Sequence, residues 1–113
     1  MESLPQGDHF DEQLKTTAVL FKALSHPARL TIIKYLSGIR VCMTGDISDQ
    51  LPLSRTTVKQ HLSSLKKAGL IQGSVDGVKV NYCLDPKGIA MLERCFGDFT
   101  KMIHHFDNLT CKD

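Results

Sequence analysis

The sequence predicts a mainly α-helical domain with one small β-hairpin. Apolar residues recur at three- and four-residue spacing in several stretches, which is the pattern of amphipathic helices. Two β-rich runs, LIQGSV and VKVNYCL, are joined through Asp76-Gly77, a strong hairpin signal. The 113 residues are 42% hydrophobic and 23% charged, as expected for one soluble globular domain.

Two helices are predicted in the first third of the chain. The first extends from about Asp8 to Leu24, and Ser-His-Pro at 25–27 ends it because a proline disfavours helix at the preceding residue. Pro27 also suits the first turn of a second helix, which is predicted to run to about Ser37. The apolar faces consist of Phe10, Leu14, Ala18, Phe21 and Leu24 on the first helix, and Leu30, Ile33 and Leu36 on the second.

A helix-turn-helix is predicted next. A short helix fits residues 44–50, beginning at Thr44 or the following glycine, and Leu51-Pro52-Leu53 forms the turn. Ser54 is a good N-cap for the second helix of the motif, which is predicted to end near Gly69.

The hairpin and a long last helix complete the predicted order, α-α-α-α-β-β-α. A hairpin that directly follows a helix-turn-helix is the wing of a winged helix-turn-helix. The last helix begins at Asp85-Pro86 and extends to about Phe106. Its apolar face consists of Ile89, Leu92, Phe96, Phe99, Ile103 and Phe106.

The domain boundaries follow from these elements. Residues 8–107 are expected to form a single domain, preceded by a flexible N-terminus at 1–7 and followed by a C-terminal tail at 108–113. No stretch approaches the roughly 20 apolar residues of a membrane span. The segment MESLPQGDHFDEQ lacks the apolar core of a signal peptide. A cytoplasmic protein with no membrane partner is therefore expected.

Positive charge is concentrated around the helix that Ser54 caps. The net charge is only +2, but no acidic residue stands between Asp49 and Asp76. The basic residues of that segment are Arg55, Lys59, Lys66 and Lys67. A carboxylate-free segment of this kind fits a polyanion, although a solvated helix face has the same composition.

The N-terminal half of this helix carries side chains that suit the DNA major groove, and we call it the recognition helix. Arg55 can make a bidentate contact with guanine and Gln60 with adenine, while a threonine methyl group can touch that of thymine. Ser54 and Lys59 are placed to bind phosphates. The predicted DNA-binding residues are Ser54, Arg55, Thr56, Thr57, Lys59, Gln60, His61, Ser64 and, on the hairpin, Lys79. For Lys79 the alternative is an ordinary charged residue on an exposed edge strand.

Three segments of the chain resemble the ArsR-type (arsenic-repressor-like) winged helix-turn-helix regulators: FKALSHPARLTIIKYL, LPLSRTTVKQHLSSLKKAGLI and VDGVKVNYCL. The resemblance covers residues from about 18 to 85 and keeps the family order. It implies a homodimeric DNA-binding transcriptional repressor that binds a pseudo-palindromic operator, with dimer contacts made by the first and last helices. The expected interface residues are Phe10, Leu14, Phe96, Phe99, Met102, Ile103 and Phe106.

Many relatives release DNA when a metal, metalloid or oxidant binds, but each sensor pattern is incomplete here. Soft-metal relatives carry Cys-x-Cys, whereas Thr44 stands two residues after Cys42. Zinc-type relatives carry Asp-x-His on the last helix, whereas Thr100 stands two residues after Asp98. Cys42 remains the effector candidate, for a soft metal or metalloid, against the alternative of a small buried thiol. No other cofactor and no metal site is assigned, and free thiols are expected.

Other interpretations remain open. His61 matches a recurring histidine of the family and is expected to contact DNA or to pack structurally, rather than to bind metal. The whole domain could instead be a winged-helix protein–protein interaction module, or an ArsR-type regulator with no small-molecule effector. An enzyme is not expected, because the sequence has no phosphate-binding glycine loop and no Ser-His-Asp signature.

Overall fold

Four helices and three strands make up the part of the chain that the structure describes. The computed structural model describes residues 10–38, 43–44, 51–76 and 79–104. In chain order the elements are α1 (Glu12–Ala23), α2 (Pro27–Ser37), β1 (Met43–Thr44), α3 (Arg55–Lys67), β2 (Ile71–Asp76), β3 (Lys79–Leu84) and α4 (Pro86–Ile103). The predicted class, mainly helical with a β-hairpin, is confirmed.

Helix α1 begins later than predicted. The carboxylate of Asp11 caps it by accepting hydrogen bonds from the backbone N–H groups of Gln13 at 2.7 Å and Leu14 at 3.4 Å. Because an N-cap stands outside its helix, Phe10 precedes α1, and its placement within the first helix was wrong. Strong capping by the aspartate outweighed the apolar periodicity.

The end of α4 also differs from the prediction. The helix begins as expected after Asp85, whose carboxylate accepts a hydrogen bond from the backbone N–H of Lys87 at 3.0 Å. It ends at Ile103, with His104 as its C-cap. Phe106, the predicted end, lies outside the described residues.

Strand β1 was not predicted. It pairs antiparallel with β3, with Met43 opposite Tyr82 and Thr44 opposite Asn81, so the sheet order is β1-β3-β2. Thr44 therefore lies in a strand, and its placement at the start of the short helix was wrong. The pairing gives hydrogen-bond partners to backbone groups on the outer edge of β3. Because it joins segments that are distant in the chain, local sequence patterns do not predict it. The rest of that predicted helix, residues 45–50, lies outside the described residues.

The predicted hairpin is present as β2 and β3. The two strands pair antiparallel from Ile71 opposite Leu84 to Asp76 opposite Lys79. Residues 77 and 78, between the strands, lie outside the described residues. The hairpin follows α3 after only a short connection, as the wing of a winged helix does.

The core lies between α2, α3 and the sheet, and α1 and α4 pack beside it. Val58, Leu62 and Leu65 turn inward from α3, as their spacing predicts. Burying each of these side chains contributes about 1.5–3 kcal/mol. The buried apolar cluster comprises Leu20, Ala23, Ile32, Leu36, Val58, Leu62, Leu65, Leu70, Ile71 and Cys95.

The end of α3 is held by a glycine cap that also contacts α4. Gly69 has φ 81°, the left-handed conformation that suits glycine after a helix. The backbone N–H of Gly69 donates to Lys66 O at 2.9 Å, and that of Leu70 donates to Leu65 O at 3.1 Å. A Cβ on Gly88 of α4 would lie 1.7 Å from Gly69 O. The first turn of α4 therefore packs directly on the backbone that ends the recognition helix.

Candidate nucleic-acid interface

The first turn of the recognition helix α3 is fixed by Ser54. The Ser54 hydroxyl accepts a hydrogen bond from the backbone N–H of Thr57 at 3.2 Å and donates to Thr57 Oγ1 at 2.9 Å. Thr57 is half-buried, whereas Ser54 is exposed. This cap orders the helix end that would enter a DNA groove, since it satisfies backbone donors that otherwise lack a partner.

One face of α3 is polar, basic and exposed. Arg55, Thr56, Lys59 and Gln60 are all exposed, as predicted for side chains that point away from the core. Ser63 is exposed as well and lies four residues after Lys59, on the same face. Sequence reasoning missed Ser63, although its helical spacing from Lys59 and Gln60 could have shown it.

Two of the predicted DNA-binding residues are turned toward the protein instead. His61 is only 9% exposed, and its Nδ1 accepts a hydrogen bond from Arg29 Nε at 3.1 Å. Ser64 is half-buried, and its hydroxyl accepts from Arg29 Nη2 at 3.2 Å. This burial and this hydrogen bond fit the structural one of the two roles expected for His61.

The wing is tied to the recognition helix. The Lys66 ammonium donates a hydrogen bond to the backbone carbonyl of Gly73, in β2, at 2.5 Å. Lys79, the predicted wing contact, is the first residue of β3 and stands opposite Asp76. Helix and hairpin therefore share a hydrogen bond as well as the glycine cap between them.

Large apolar side chains are exposed on α1 and α4. Phe21 of α1 packs against Phe96 and Phe99 of α4, with ring centroids 5.0 and 5.6 Å apart. Gln13 Nε2 also donates to Asp98 Oδ2 at 2.5 Å. Of the expected interface residues, Phe99 is half-buried, Phe106 lies outside the described residues, and the exposed members are Phe10, Leu14, Phe96, Met102 and Ile103.

The state of the cysteines differs from the prediction of free thiols. Cys95 is a buried free cysteine in α4, but Cys83 in β3 is disulfide-bonded. The expectation was wrong for Cys83, because sequence spacing does not reveal which thiols the fold brings together. The effector candidate, Cys42, lies outside the described residues.

The described parts of the chain contain neither a cluster of metal ligands nor a membrane-spanning helix. Within them, no group of three or more histidine, cysteine, aspartate or glutamate side chains is arranged to hold a metal ion. Among the helices described there, none is both long and apolar enough to cross a bilayer.

Comparison with known proteins decides the family. The pattern described as "Bacterial regulatory protein, arsR family" matches residues 26–72. The HTH-type transcriptional regulator YgaV of Escherichia coli is 33% identical over 72 residues, which cover 64% of this chain and 73% of YgaV. The chain belongs to the ArsR family. This ArsR-family protein is a transcriptional regulator and not an enzyme.

Other similarities agree with this assignment. A probable mercury resistance operon repressor of Streptomyces lividans is 34% identical over 84 residues, covering 71% of this chain and 66% of that protein. The solved structure of HlyU from Vibrio cholerae superposes with a TM-score of 0.61 at 27% identity, covering 80% of this chain and 99% of HlyU. The winged helix-turn-helix fold of this ArsR-family regulator is thereby confirmed.

Proposed function

We propose that this ArsR-family regulator is a sequence-specific, homodimeric DNA-binding repressor. The observation that carries the proposal is the exposed, carboxylate-free face of α3, whose Arg55, Thr56, Lys59 and Gln60 match major-groove and phosphate chemistry. Phosphates flank the groove, so a carboxylate on this face would be repelled. We expect Ser54 and, in the wing, Lys79 to contribute phosphate contacts, whereas His61 and Ser64 act from behind the surface of α3.

The exposed apolar side chains of α1, of α4 and of Phe10 just before α1 support the homodimer. Phe10, Leu14, Met102 and Ile103 are each more than two-fifths exposed. Such an apolar surface is characteristic of an interface. A two-fold dimer presents its recognition helices about 34–36 Å apart, one DNA turn, on a pseudo-palindromic operator.

A protein-contact module is the weaker alternative for the same surface. Interfaces between proteins are usually centred on aromatic or aliphatic anchors. The exposed face of α3 has none in its first half, because Val58 is buried in the core. DNA is therefore the better match for this surface.

Binding to duplexes selected from a randomised pool tests the proposal. We expect two chains per selected duplex, with an affinity that falls steeply as salt rises, because neutralised phosphates release counterions. For about 6–10 phosphate contacts the loss between 50 and 200 mM salt is roughly 10³- to 10⁵-fold. Equal affinity for selected and scrambled duplexes, or one chain per duplex, would contradict the proposal.

A thiol-directed effector is the second part of the proposal. Cys83 is disulfide-bonded and Cys95 is free, so Cys42 and Cys111 are the candidates for the partner of Cys83. Cys42 directly precedes Met43, whose Cα is paired with that of Tyr82 beside Cys83. We therefore expect Cys42 to be the partner, and a soft metal or metalloid to bind these thiols once they are reduced.

Non-reducing peptide mapping by mass spectrometry checks this expectation. The oxidised protein should yield a linked peptide containing Cys42 and Cys83, and Cys42→Ser should abolish it. Cys111→Ser is the matched control and should leave the linked peptide intact. A linked peptide that contains Cys111 would contradict the pairing. If the reduced protein keeps its operator affinity with arsenite, cadmium or mercuric ion added, it has no effector of this class.

A further inference from the structure

Arg29, on α2, bridges three parts of the domain. Its Nε donates to His61 Nδ1 at 3.1 Å and its Nη2 donates to Ser64 Oγ at 3.2 Å, both on α3. Its Nη1 faces the carbonyl oxygens of Lys22 and Ala23, at the end of α1, at 3.5 and 3.4 Å. One guanidinium thus spans the end of a helix expected at the dimer interface and the back of the recognition helix.

The bridge requires a neutral imidazole. Nδ1 of His61 can accept the Arg29 hydrogen bond only when it carries no proton, so the ring holds its hydrogen on Nε2. A protonated ring would offer Arg29 a donor and a like charge in place of an acceptor. The interaction is therefore lost, and not merely weakened, when His61 takes up a proton.

The surroundings of His61 favour the neutral form. The His26 ring, at the start of α2, lies 4.5 Å from the His61 ring between centroids. His26 is itself fixed, because its Nδ1 accepts a hydrogen bond from the backbone N–H of Ala28 at 2.9 Å. Lys22 of α1 and Lys67 of α3 line the cleft that Arg29 and Ser64 also line. The Arg29 guanidinium and the two lysines that line this cleft carry the same sign of charge as a protonated His61 would.

We propose that Arg29 is a positioning residue for DNA binding, which holds the recognition helix at its angle through hydrogen bonds to neutral His61 and to Ser64. Proton uptake by His61 breaks its hydrogen bond with Arg29, and the recognition helix is then no longer held at that angle. The inference rests on the proposed function, since DNA binding is its main readout. Arg29 touches the inner side of α3 and would touch no DNA. Its effect on affinity would act through the outward side chains that α3 presents.

The direction of the pH dependence follows from the environment. Burial lowers the pKa of His61 below its usual 6.5, and the adjacent His26 and Arg29 lower it further. Between the lowered value and 6.5 the unfolded chain binds more protons than the folded protein. The contribution of the bridge to the free energy of unfolding is therefore complete above about pH 6.5. It is lost as the pH falls through the lower, folded-state pKa.

Operator affinity measured between pH 8 and pH 5 with His61→Asn tests the proposal. The Asn side-chain oxygen can still accept from Arg29 but cannot be protonated. We expect the wild type to lose about fivefold or more affinity, relative to His61→Asn, as the pH falls. His104→Asn, at the exposed end of α4, is the matched control and should keep the wild-type profile. His26→Asn retains a capping side chain but removes a group that lowers the pKa of His61, so its loss of affinity should begin at higher pH than in the wild type. Identical profiles for the wild type and His61→Asn would overturn the proposal.

Arg29→Lys provides a second test at pH 7.5. Lysine preserves the charge but cannot reproduce the forked hydrogen bonds of the guanidinium. We expect lower affinity for the selected duplex and unchanged affinity for a scrambled one. An equal loss on both duplexes would show a general charge effect and overturn the positioning role.

An NMR titration separates failure of this inference from failure of the proposed function, because it needs no DNA. Backbone amide signals of α3 should shift with the same midpoint as the His61 ring, and should stay constant in His61→Asn. If the wild type has no preferred duplex but these shifts are seen, the proposed function is wrong and the coupling of His61 protonation to α3 is still supported. If a preferred duplex is bound but the α3 signals do not change in the titration, the inference about Arg29 and His61 is wrong and the proposed function is unaffected.

Discussion

Replacing Gly88 by alanine should strongly destabilise the protein. The added Cβ would lie 1.7 Å from Gly69 O and 2.6 Å from Gly69 C, both backbone atoms that no rotamer change can move. Overpacking typically costs about 1–3 kcal/mol and occasionally more, and backbone obstruction puts Gly88→Ala at or above the upper end. Urea unfolding monitored by circular dichroism measures this loss as a lower midpoint.

Gly97→Ala is the matched control, because it makes the same change in the same helix. A Cβ at Gly97 meets no atom within 4 Å. Alanine is favoured over glycine within a helix by about 1 kcal/mol, so this variant should raise the urea midpoint. Equal midpoints for the two variants would show that α4 does not press on Gly69.

Arg55→Ala should cause the largest loss of operator affinity among the outward-facing positions. A bidentate contact from arginine to guanine discriminates by about 1–3 kcal/mol, so affinity for the selected duplex should fall by one to two orders of magnitude. Sequence preference at the contacted base pair should relax at the same time. Competition binding with single-base variants of the selected duplex measures both effects.

The control for this substitution removes the same charge elsewhere. Arg94 is exposed on α4, a different helix from the one that carries Arg55. Arg94→Ala should leave the base preference unchanged. If Arg55→Ala weakens selected and scrambled duplexes equally, Arg55 holds a phosphate and does not read a base.

The recognition helix could be predicted from sequence because its signals are local. Ser54 at the start, Gly69 after the end, and the inward spacing of Val58, Leu62 and Leu65 all lie within sixteen residues. Capping and periodicity act at this range, and the structure agrees with them. The hairpin was predictable for the same reason, since its two strands are adjacent in the chain.

What sequence reasoning missed depends on contacts between distant segments. Arg29 forms hydrogen bonds with His61 and Ser64, which lie 32 and 35 residues away in the chain. No local sequence pattern around Arg29 therefore predicts the bridge. Strand β1 exists through its pairing with β3, and the tight approach of Gly88 depends on how α4 crosses the end of α3. Periodicity identified the buried side of α3 but not that of α2, where Leu30, predicted on the inward face, is 51% exposed and Ile32 is buried instead.

The two sides of α3 also bear on how such a regulator could change its target. The inward side holds Val58, His61, Leu62 and Leu65, which the core and Arg29 constrain. The outward side, from Arg55 through Gln60 to Ser63, is exposed to solvent. Under the proposed DNA-binding function, substitutions there alter the preferred DNA sequence at little cost to folding, since surface changes are usually within about 0.5 kcal/mol. A duplicated gene could thus acquire a new operator within a few mutations while its scaffold stays the same.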